Sequence, residues 1–353
     1  MNAHSILDNP SEILTIDTTD MGQRISDTPG MLNSAISQYD KNDLFPSFKP
    51  RDIILGGMGG SAIAGNLVVD YLANDLNIPI CVCRYPELPY TPTENTLVLI
   101  NSFSGNTEET ISMFHQARST PCKTIVISNG GTLSHLAPKY GIPLVNMSIQ
   151  GEPRTIVPYH LFLLIQILQP YTTGSNIDND LLETIDVAKV YSKEFSISNP
   201  SAKNPSKRLA ESIKNRLLCV YGGGLLSSLT LRWKTQINEN GKSLCISDTI
   251  PELFHNTLET FQEFEKINKD IFVILLQQNQ QPQWLRSRYT TIKQLLNRFD
   301  IKNVTITTNE TSDLAQIIHM MMLCDFTSYY LGILKQANPS PNKVIDEAKK
   351  MMS

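Results

Sequence analysis

Apolar residues in this chain fall into short runs separated by stretches of helical periodicity. Asp52-Ile53-Ile54-Leu55 runs straight into Gly56-Gly57-Met58-Gly59-Gly60-Ser61, and an apolar helical pattern follows from Ala62 to Leu72. Further strand-like runs cover 80–84, 96–100, 123–128 and 144–146, with helical stretches at 108–118 and 133–140 between them. Strands and helices that alternate at this spacing predict a parallel sheet covered on both faces. A helix over 157–171 closes this half. The pattern then starts again: a strand at 217–221 enters Gly222-Gly223-Gly224-Leu225, a helix spans 228–240, strands follow at 244–247, 271–276 and 303–307, and helices at 287–299 and 313–334. Each half opens strand, glycine turn, helix, which reads as a structural duplication.

These patterns predict an α/β chain of two doubly wound parallel-sheet halves, at 51–171 and 216–353, the second with C-terminal helices. Residues 1–50 read as a helical lead-in, with Leu32, Ala35, Ile36 and Tyr39 at helical spacing and Pro46 and Pro50 ending it. Residues 172–215 read as a connection. Its polar stretch from 172 to 206, with Gly174, Pro200 and Pro205, surrounds one helix at 179–193.

The length of 353 residues suits two domains, and 41% apolar with 18% charged residues is a globular composition. The net charge of −4 with scattered cations leaves no basic stripe for nucleic acid, so an anionic ligand would have to be held by local donors. Six cysteines, at 81, 83, 122, 219, 245 and 324, lie mostly in apolar runs, which suits reduced thiols in a cytoplasmic protein. They form no pattern suggestive of a metal site. Met1 to Asp8 lacks the basic-then-apolar order of a signal peptide. The longest apolar run, Leu161–Leu168, is too short to span a bilayer, so no membrane is expected as a partner.

Two turns carry candidate chemistry. Gly56–Ser61 joins a strand to a helix, where glycines admit a ligand close to the backbone and the helix offers unpaired N–H groups. A dinucleotide site would want an acidic residue closing the next strand, but that strand reads Ile80-Cys81-Val82-Cys83-Arg84. A plain βα turn fits as well. Asn101-Ser102-Phe103-Ser104-Gly105-Asn106-Thr107-Glu108-Glu109-Thr110 says more. It puts three hydroxyls, on Ser102, Ser104 and Thr107, at the start of a helix. A helix cap needs one of them; the surplus suits a neutral phosphate cradle that requires no lysine.

With these motifs in order the chain resembles the sugar isomerase (SIS) domain, so that the two halves become tandem SIS-type units. Three later segments narrow the resemblance to the bifunctional phosphoglucose/phosphomannose isomerase family: Gly151-Glu152-Pro153-Arg154, Arg232-Trp233-Lys234-Thr235-Gln236-Ile237-Asn238-Glu239-Asn240 and Pro251-Glu252-Leu253-Phe254-His255-Asn256. The resemblance covers about residues 50 to 350. It implies an aldose–ketose isomerase that interconverts glucose 6-phosphate, and mannose 6-phosphate as a second substrate to be tested, with fructose 6-phosphate. No metal and no cofactor are implied. Ser102, Ser104 and Thr107 would take the phosphate, with Ser61 and the Gly59–Gly60 backbone beside the sugar. Arg154 would stabilise an anionic enediolate, and Glu239 would carry the proton between C1 and C2. His255 would assist ring opening, reaching across from the other subunit of a homodimer with shared active sites. A C-terminal lysine would contribute, with Lys349 the better match and Lys335 the poorer.

Elementary chemistry agrees with these roles. Isomerisation needs one base beside a carbonyl and a fixed positive group for the transient oxyanion. Taken singly, Glu239 reads as a solvated glutamate near a helix end, Arg154 as a surface ion pair, His255 as a structural histidine and Lys349 as a solvated lysine. Their order along the chain is what favours catalysis. Two positions depart from the family pattern. Phe254 replaces a polar asparagine, and Ser340, in Asn338-Pro339-Ser340-Pro341, stands where the family carries a threonine associated with mannose substrates. Two other readings compete. A non-catalytic phosphosugar-binding regulator would keep the serines without Glu239 and His255, and an NAD-dependent enzyme would need the missing acidic anchor.

Overall fold

Parallel strands buried on both faces read as near-continuous apolar runs, and each such run forms a strand. The structure is a computed structural model that describes residues 5–38, 44–45, 47–173, 176–267 and 269–352. Residues 1–4, Tyr39, Pro46 and Gly174, which entered the sequence reading, lie outside the described residues. Helices α1 (Pro10–Ile16), α2 (Met21–Ser26) and α3 (Thr28–Gln38) come first. Next are β1 (Asp52–Gly56), α4 (Gly59–Tyr71), β2 (Ile80–Cys83), β3 (Thr96–Ser102), α5 (Glu108–Ala117), β4 (Lys123–Ser128), α6 (Gly131–Lys139), β5 (Leu144–Asn146) and α7 (Val157–Leu168). Helices α8 (Ile177–Glu194) and α9 (Pro205–Ile213) lead to β6 (Leu217–Gly223), α10 (Ser227–Glu239) and β7 (Cys245–Ile250). The chain ends with α11 (Phe261–Ile267), β8 (Ile271–Gln277), α12 (Gln283–Arg298), β9 (Asn303–Thr307), α13 (Asp313–Leu334) and α14 (Lys343–Met352).

The chain divides into two compact units, residues 29–185 and residues 1–28 with 186–353. The first holds a five-stranded sheet, all parallel, in the order β2-β1-β3-β4-β5. Ile54, Val98, Ile100 and Val126 pack under Met113 and Phe114 of α5 and Leu133 of α6 on one face. The second unit holds a four-stranded parallel sheet in the order β7-β6-β8-β9. One core there joins Tyr221, Val273 and Leu275 to Leu285, Tyr289 and Ile292 of α12. In both sheets the chain winds outward from the first strand, returns, and continues on the other side, the mark of a doubly wound fold.

The expected lead-in over 1–50 is divided between the units, because its first part is tied to the second sheet's helices. The buried Asp17 carboxylate accepts the N–H groups of Met21 and Gly22 at 2.9 and 2.8 Å and the Tyr329 hydroxyl at 3.1 Å. Lys207, also fully buried, donates to the carbonyls of Leu7 at 2.6 Å and Ile197 at 2.8 Å. The segment 172–215 holds α9 as well as α8. Pro205, which lies in the polar connecting stretch, opens α9 at its first turn, and the Asn204 side chain accepts the Lys207 N–H as a cap.

Helix α13 is long and apolar enough to cross a membrane by length and composition, but nineteen of its twenty-two residues are buried in the second unit. Its Asp325 receives two bonds from Arg232 of α10, at 2.8 and 2.9 Å, and a third from Gln236 at 2.8 Å. This pair is 0% and 4% exposed in its side chains, so each charge depends on the other. Asp325→Ala should therefore lower the free energy of unfolding by about 3–5 kcal/mol in denaturant titration, and the apolar pair Arg232→Met with Asp325→Leu by much less.

A second charged cluster joins α8 to α13. Tyr191 stacks on His319 with ring centroids 3.7 Å apart, and Glu310 accepts the Tyr191 hydroxyl at 2.6 Å and lies 3.0 Å from His319 Nδ1. Burial raises the Glu310 carboxyl, but the bonds from His319 and Tyr191 outweigh it and bring it down to about 2. A carboxyl lowered by folding stabilises above its unfolded value near 4.5, and that contribution drains away as pH falls towards 2. The stability gap between wild type and Glu310→Gln should thus be full at pH 6 and shrink steadily below about pH 4.5 in urea titrations.

Candidate active site

In a sheet of order β2-β1-β3-β4-β5 the connections after β1 and β3 leave in opposite directions, which opens a crevice at the carboxyl ends of those strands. The two candidate turns of the sequence reading are the turns after β1 and β3. The glycines after β1 have steric reasons. A Cβ at Gly57 would stand 3.0 Å from the Asn101 carbonyl oxygen, and one at Gly60 would stand 2.4 Å from that of Pro153. Gly59 has φ +50 and open space around it. The first turn of α4, with Ser61 at 5% exposure, is thereby pressed between β3 and the turn carrying Arg154. Met58 offers no side-chain cap and its carbonyl takes the Ser61 N–H at 3.1 Å, so the N–H groups of Gly59 and Gly60 are those left without an intrahelical partner.

A buried relay holds this turn. Asn101 donates from Nδ2 to the Ser61 carbonyl at 3.1 Å and accepts through Oδ1 from His160 Nδ1 at 2.8 Å. Burial pushes His160 down to about 3, so the ring is neutral and Nδ1 carries its proton. The sequence reading assigned no role to Asn101 or His160. The signal available was a histidine inside the otherwise apolar run of α7.

After β3, Ser102 and Ser104 reach the Thr107 hydroxyl at 3.3 and 3.4 Å, so the three predicted hydroxyls converge. Thr107 occupies the N-cap position of α5, yet its side chain makes no capping bond. The plain capping reading is thus not what the hydroxyl does: it faces its two serines beside the uncapped first turn. Gly105 makes the turn possible. Its φ is +63, and a Cβ there would meet the Gly130 carbonyl oxygen at 1.8 Å and Ser128 Oγ at 2.7 Å. Asn106 Oδ1 accepts both the N–H and the hydroxyl of Thr132, at 2.9 and 3.0 Å, which fixes the other side. Arg154 lies in the turn before α7 at 7% exposure, where Thr155 N bonds the Glu152 carbonyl at 2.8 Å. Outward N–H groups, clustered hydroxyls and a buried guanidinium together suit a phosphorylated polyol.

The corresponding crevice of the second unit is filled by its own side chains. Gln278, just after β8, accepts the Leu225 N–H at 2.9 Å, and the Tyr289 hydroxyl accepts that of Gly223 at 3.0 Å. What this unit offers lies at the other end of α10. Glu239 is half-buried on the helix's last turn, accepts a bond from Asn342 Nδ2 at 2.7 Å and lines a cavity of about 510 Å³. His255 is exposed at the end of a short turn, Glu252–His255. Phe254 packs against the core of the second sheet. Of the two lysines, Lys335 is engaged with the Lys242 carbonyl at 3.1 Å and Ser243 Oγ at 2.6 Å, whereas Lys349 is exposed on α14.

Tandem doubly wound units with a hydroxyl-rich turn after the third strand define a sugar-isomerase-domain protein. Residues 202–352 match the model of the bacterial phospho-glucose isomerase C-terminal SIS domain. A solved structure of a hypothetical protein from Thermus thermophilus shares the fold with a TM-score of 0.77 at 14% identity, over 97% of this chain and 92% of that one. The bifunctional phosphoglucose/phosphomannose isomerase of Caldicellulosiruptor bescii is 31% identical over 307 residues, 85% of this chain and 89% of its own. The protein of the same name from Aquifex aeolicus is 29% identical over 89% of this chain and 94% of its own. The chain belongs to the bifunctional phosphoglucose/phosphomannose isomerase family.

Gly105→Ala tests the turn directly. The methyl group must displace the Gly130 carbonyl, so the variant should lose about 1–3 kcal/mol of stability. A phosphosugar should also raise its melting temperature less than it raises that of wild type.

Proposed function

We infer that the chain is an aldose–ketose isomerase that interconverts glucose 6-phosphate and fructose 6-phosphate. Its family membership and its phosphosugar-isomerase neighbours support this reading. The observation that carries it in the structure is the convergence of Ser102, Ser104 and Thr107 on one point beside a helix start that no side chain caps. Three neutral hydroxyls and the N–H groups of a helix start bind a phosphate dianion without a lysine or arginine in the cradle.

Roles follow from the chemistry. The cradle takes the phosphate, with the Gly59–Gly60 backbone and Ser61 along the sugar. Glu239 as a carboxylate removes the proton from C2 of the open-chain aldose and returns it to C1 of the enediolate, while the hydroxyl proton of O2 passes to O1, so the step balances with no net proton or electron exchanged. Arg154 steadies the enediolate oxygen; its residue is 7% exposed, so little water competes there for an anion. His255 assists ring opening, and Lys349 supplies a further cation. Mannose 6-phosphate differs only at C2, where the enediolate is planar, so it is a second substrate of the same base. Ser340 keeps the hydroxyl of the threonine associated with mannose substrates.

The working assembly is proposed to be a cytoplasmic homodimer with shared sites. His255 is exposed in its own subunit, as a side chain serving a neighbour must be. Leu244 at 69% exposure, just before the edge strand β7, and Ile246 at 43% within it leave an apolar stretch there, and all six cysteines are free thiols.

Glu239→Gln should reduce fructose 6-phosphate formation from glucose 6-phosphate at least a thousandfold, assayed with EDTA and no added cofactor. Phosphosugar binding by calorimetry should survive, because the cradle does not include Glu239. Normal turnover by this variant would overturn the mechanism.

A further inference from the structure

Three side chains at the end of α10 form a chain of clamps that ends on the proposed base. Lys335 holds the Lys242 carbonyl and Ser243 Oγ, which pins the turn after α10. Lys242 itself has φ +47, a conformation that a side chain disfavours and that the surrounding bonds must hold. Its ammonium donates to the carbonyls of Glu239 at 2.5 Å, Pro341 at 2.7 Å and Pro339 at 3.2 Å, with Asn342 Oδ1 at 3.4 Å. A cation near the last carbonyls of a helix is ordinary complementarity to the helix dipole. This one also grips a second segment, 339–342, far away in sequence. Its last residue, Asn342, stands at the start of α14, where its carbonyl accepts the Asp346 N–H at 2.9 Å. The Asn342 side chain turns from that helix to α10 and gives its amide to Glu239 Oε2 at 2.7 Å.

We propose that Asn342 is a positioning residue for Glu239, and that Lys242 holds the 339–342 segment in the place from which Asn342 can reach it. The proposal rests on Glu239 as the base and adds what aims it. A base that takes a proton from one carbon and returns it to the next must keep one oxygen over both. The bond to Oε2 fixes the plane of the carboxylate and so the direction in which it meets a substrate. The amide does not titrate and takes no part in the transfer. Glu239, Lys242, Asn342 and Lys343 all line the same cavity of about 510 Å³, which gives a substrate room to meet the carboxylate.

Asn342→Asp is the decisive variant. Aspartate keeps the shape and serves equally well at a helix start, so α14 retains its cap residue, but an acceptor now faces Glu239 where a donor stood. The kcat for glucose 6-phosphate should fall about tenfold or more with KM within about threefold and the melting temperature nearly unchanged. Asn342→Ser, a good cap residue too short to reach Glu239, should give the same split and serves if aspartate perturbs folding. Glu239→Gln in parallel separates the two possible failures. If Glu239→Gln is inactive while both Asn342 variants keep the wild-type kcat, the positioning role is overturned. If Glu239→Gln stays active, the base assignment falls and this inference falls with it.

Discussion

The structure depends on the reversal of winding between β1 and β3. Parallel strands present all their carboxyl ends on one edge, and the reversal prevents two consecutive connections from covering it. The loops after β1 and β3 must part there, and each starts a helix whose first N–H groups have no partner within the helix. An anion site is therefore a by-product of topology before any residue is chosen. The sequence decides only whether the opening is kept. In the first unit Gly60 lets the Pro153 turn approach, Gly105 lets the loop after β3 fold against Gly130, and no side chain caps α4 or α5.

The second unit shows the alternative from the same topology. Its order β7-β6-β8-β9 has the same reversal between β6 and β8. There Gln278 and Tyr289 provide the partners that a ligand would otherwise supply. The duplicated layout therefore does not imply duplicated chemistry. This unit instead presents a carboxylate, that of Glu239, at the opposite end of its opening helix, where the dipole disfavours an anion and donors from outside the helix are needed. Asn342 is the donor to that carboxylate, and Lys242 donates to the Glu239 backbone carbonyl beside it.

Much of this was legible in the sequence. The strand at 123–128, the strand at 303–307 and the helix at 313–334 match the observed boundaries, because two are short β-branched runs, the third is an apolar run too long for a strand, and turn residues bound them. The segment around α9 was not, because Asn204-Pro205 in a polar stretch carries the same letters whether it ends a loop or starts a helix; only the packing of Lys207 and Ala210 decides. The hydroxyl cluster was legible because it exceeds what a cap requires. Asn101 and His160 were not, since each is a polar residue in an apolar run and the bond that explains both spans 59 positions. Phe254 looked like an intrusion into a polar motif. It packs on the second core, so at that place the chain has an apolar anchor beneath an exposed histidine.

The contrast between Lys335 and Lys349 shows how far burial can sort residues that sequence leaves alike. Burial lowers Lys335 from the usual lysine range, and its bonds run to a carbonyl and a hydroxyl of the turn after α10. A lysine so engaged would have to abandon the turn that sets Lys242 in order to reach a substrate. Lys349 has no such duty among its described neighbours and sits on a helix with no buried residue, whose apolar side chains Val344 and Met351 are 79% and 81% exposed. That helix starts just after Asn342, whose carbonyl accepts the Asp346 N–H at 2.9 Å. The residue that bonds the Glu239 carboxylate and the residue at the start of the lysine-bearing helix are thus the same. A single amide joins the orientation of the carboxylate to the placement of α14.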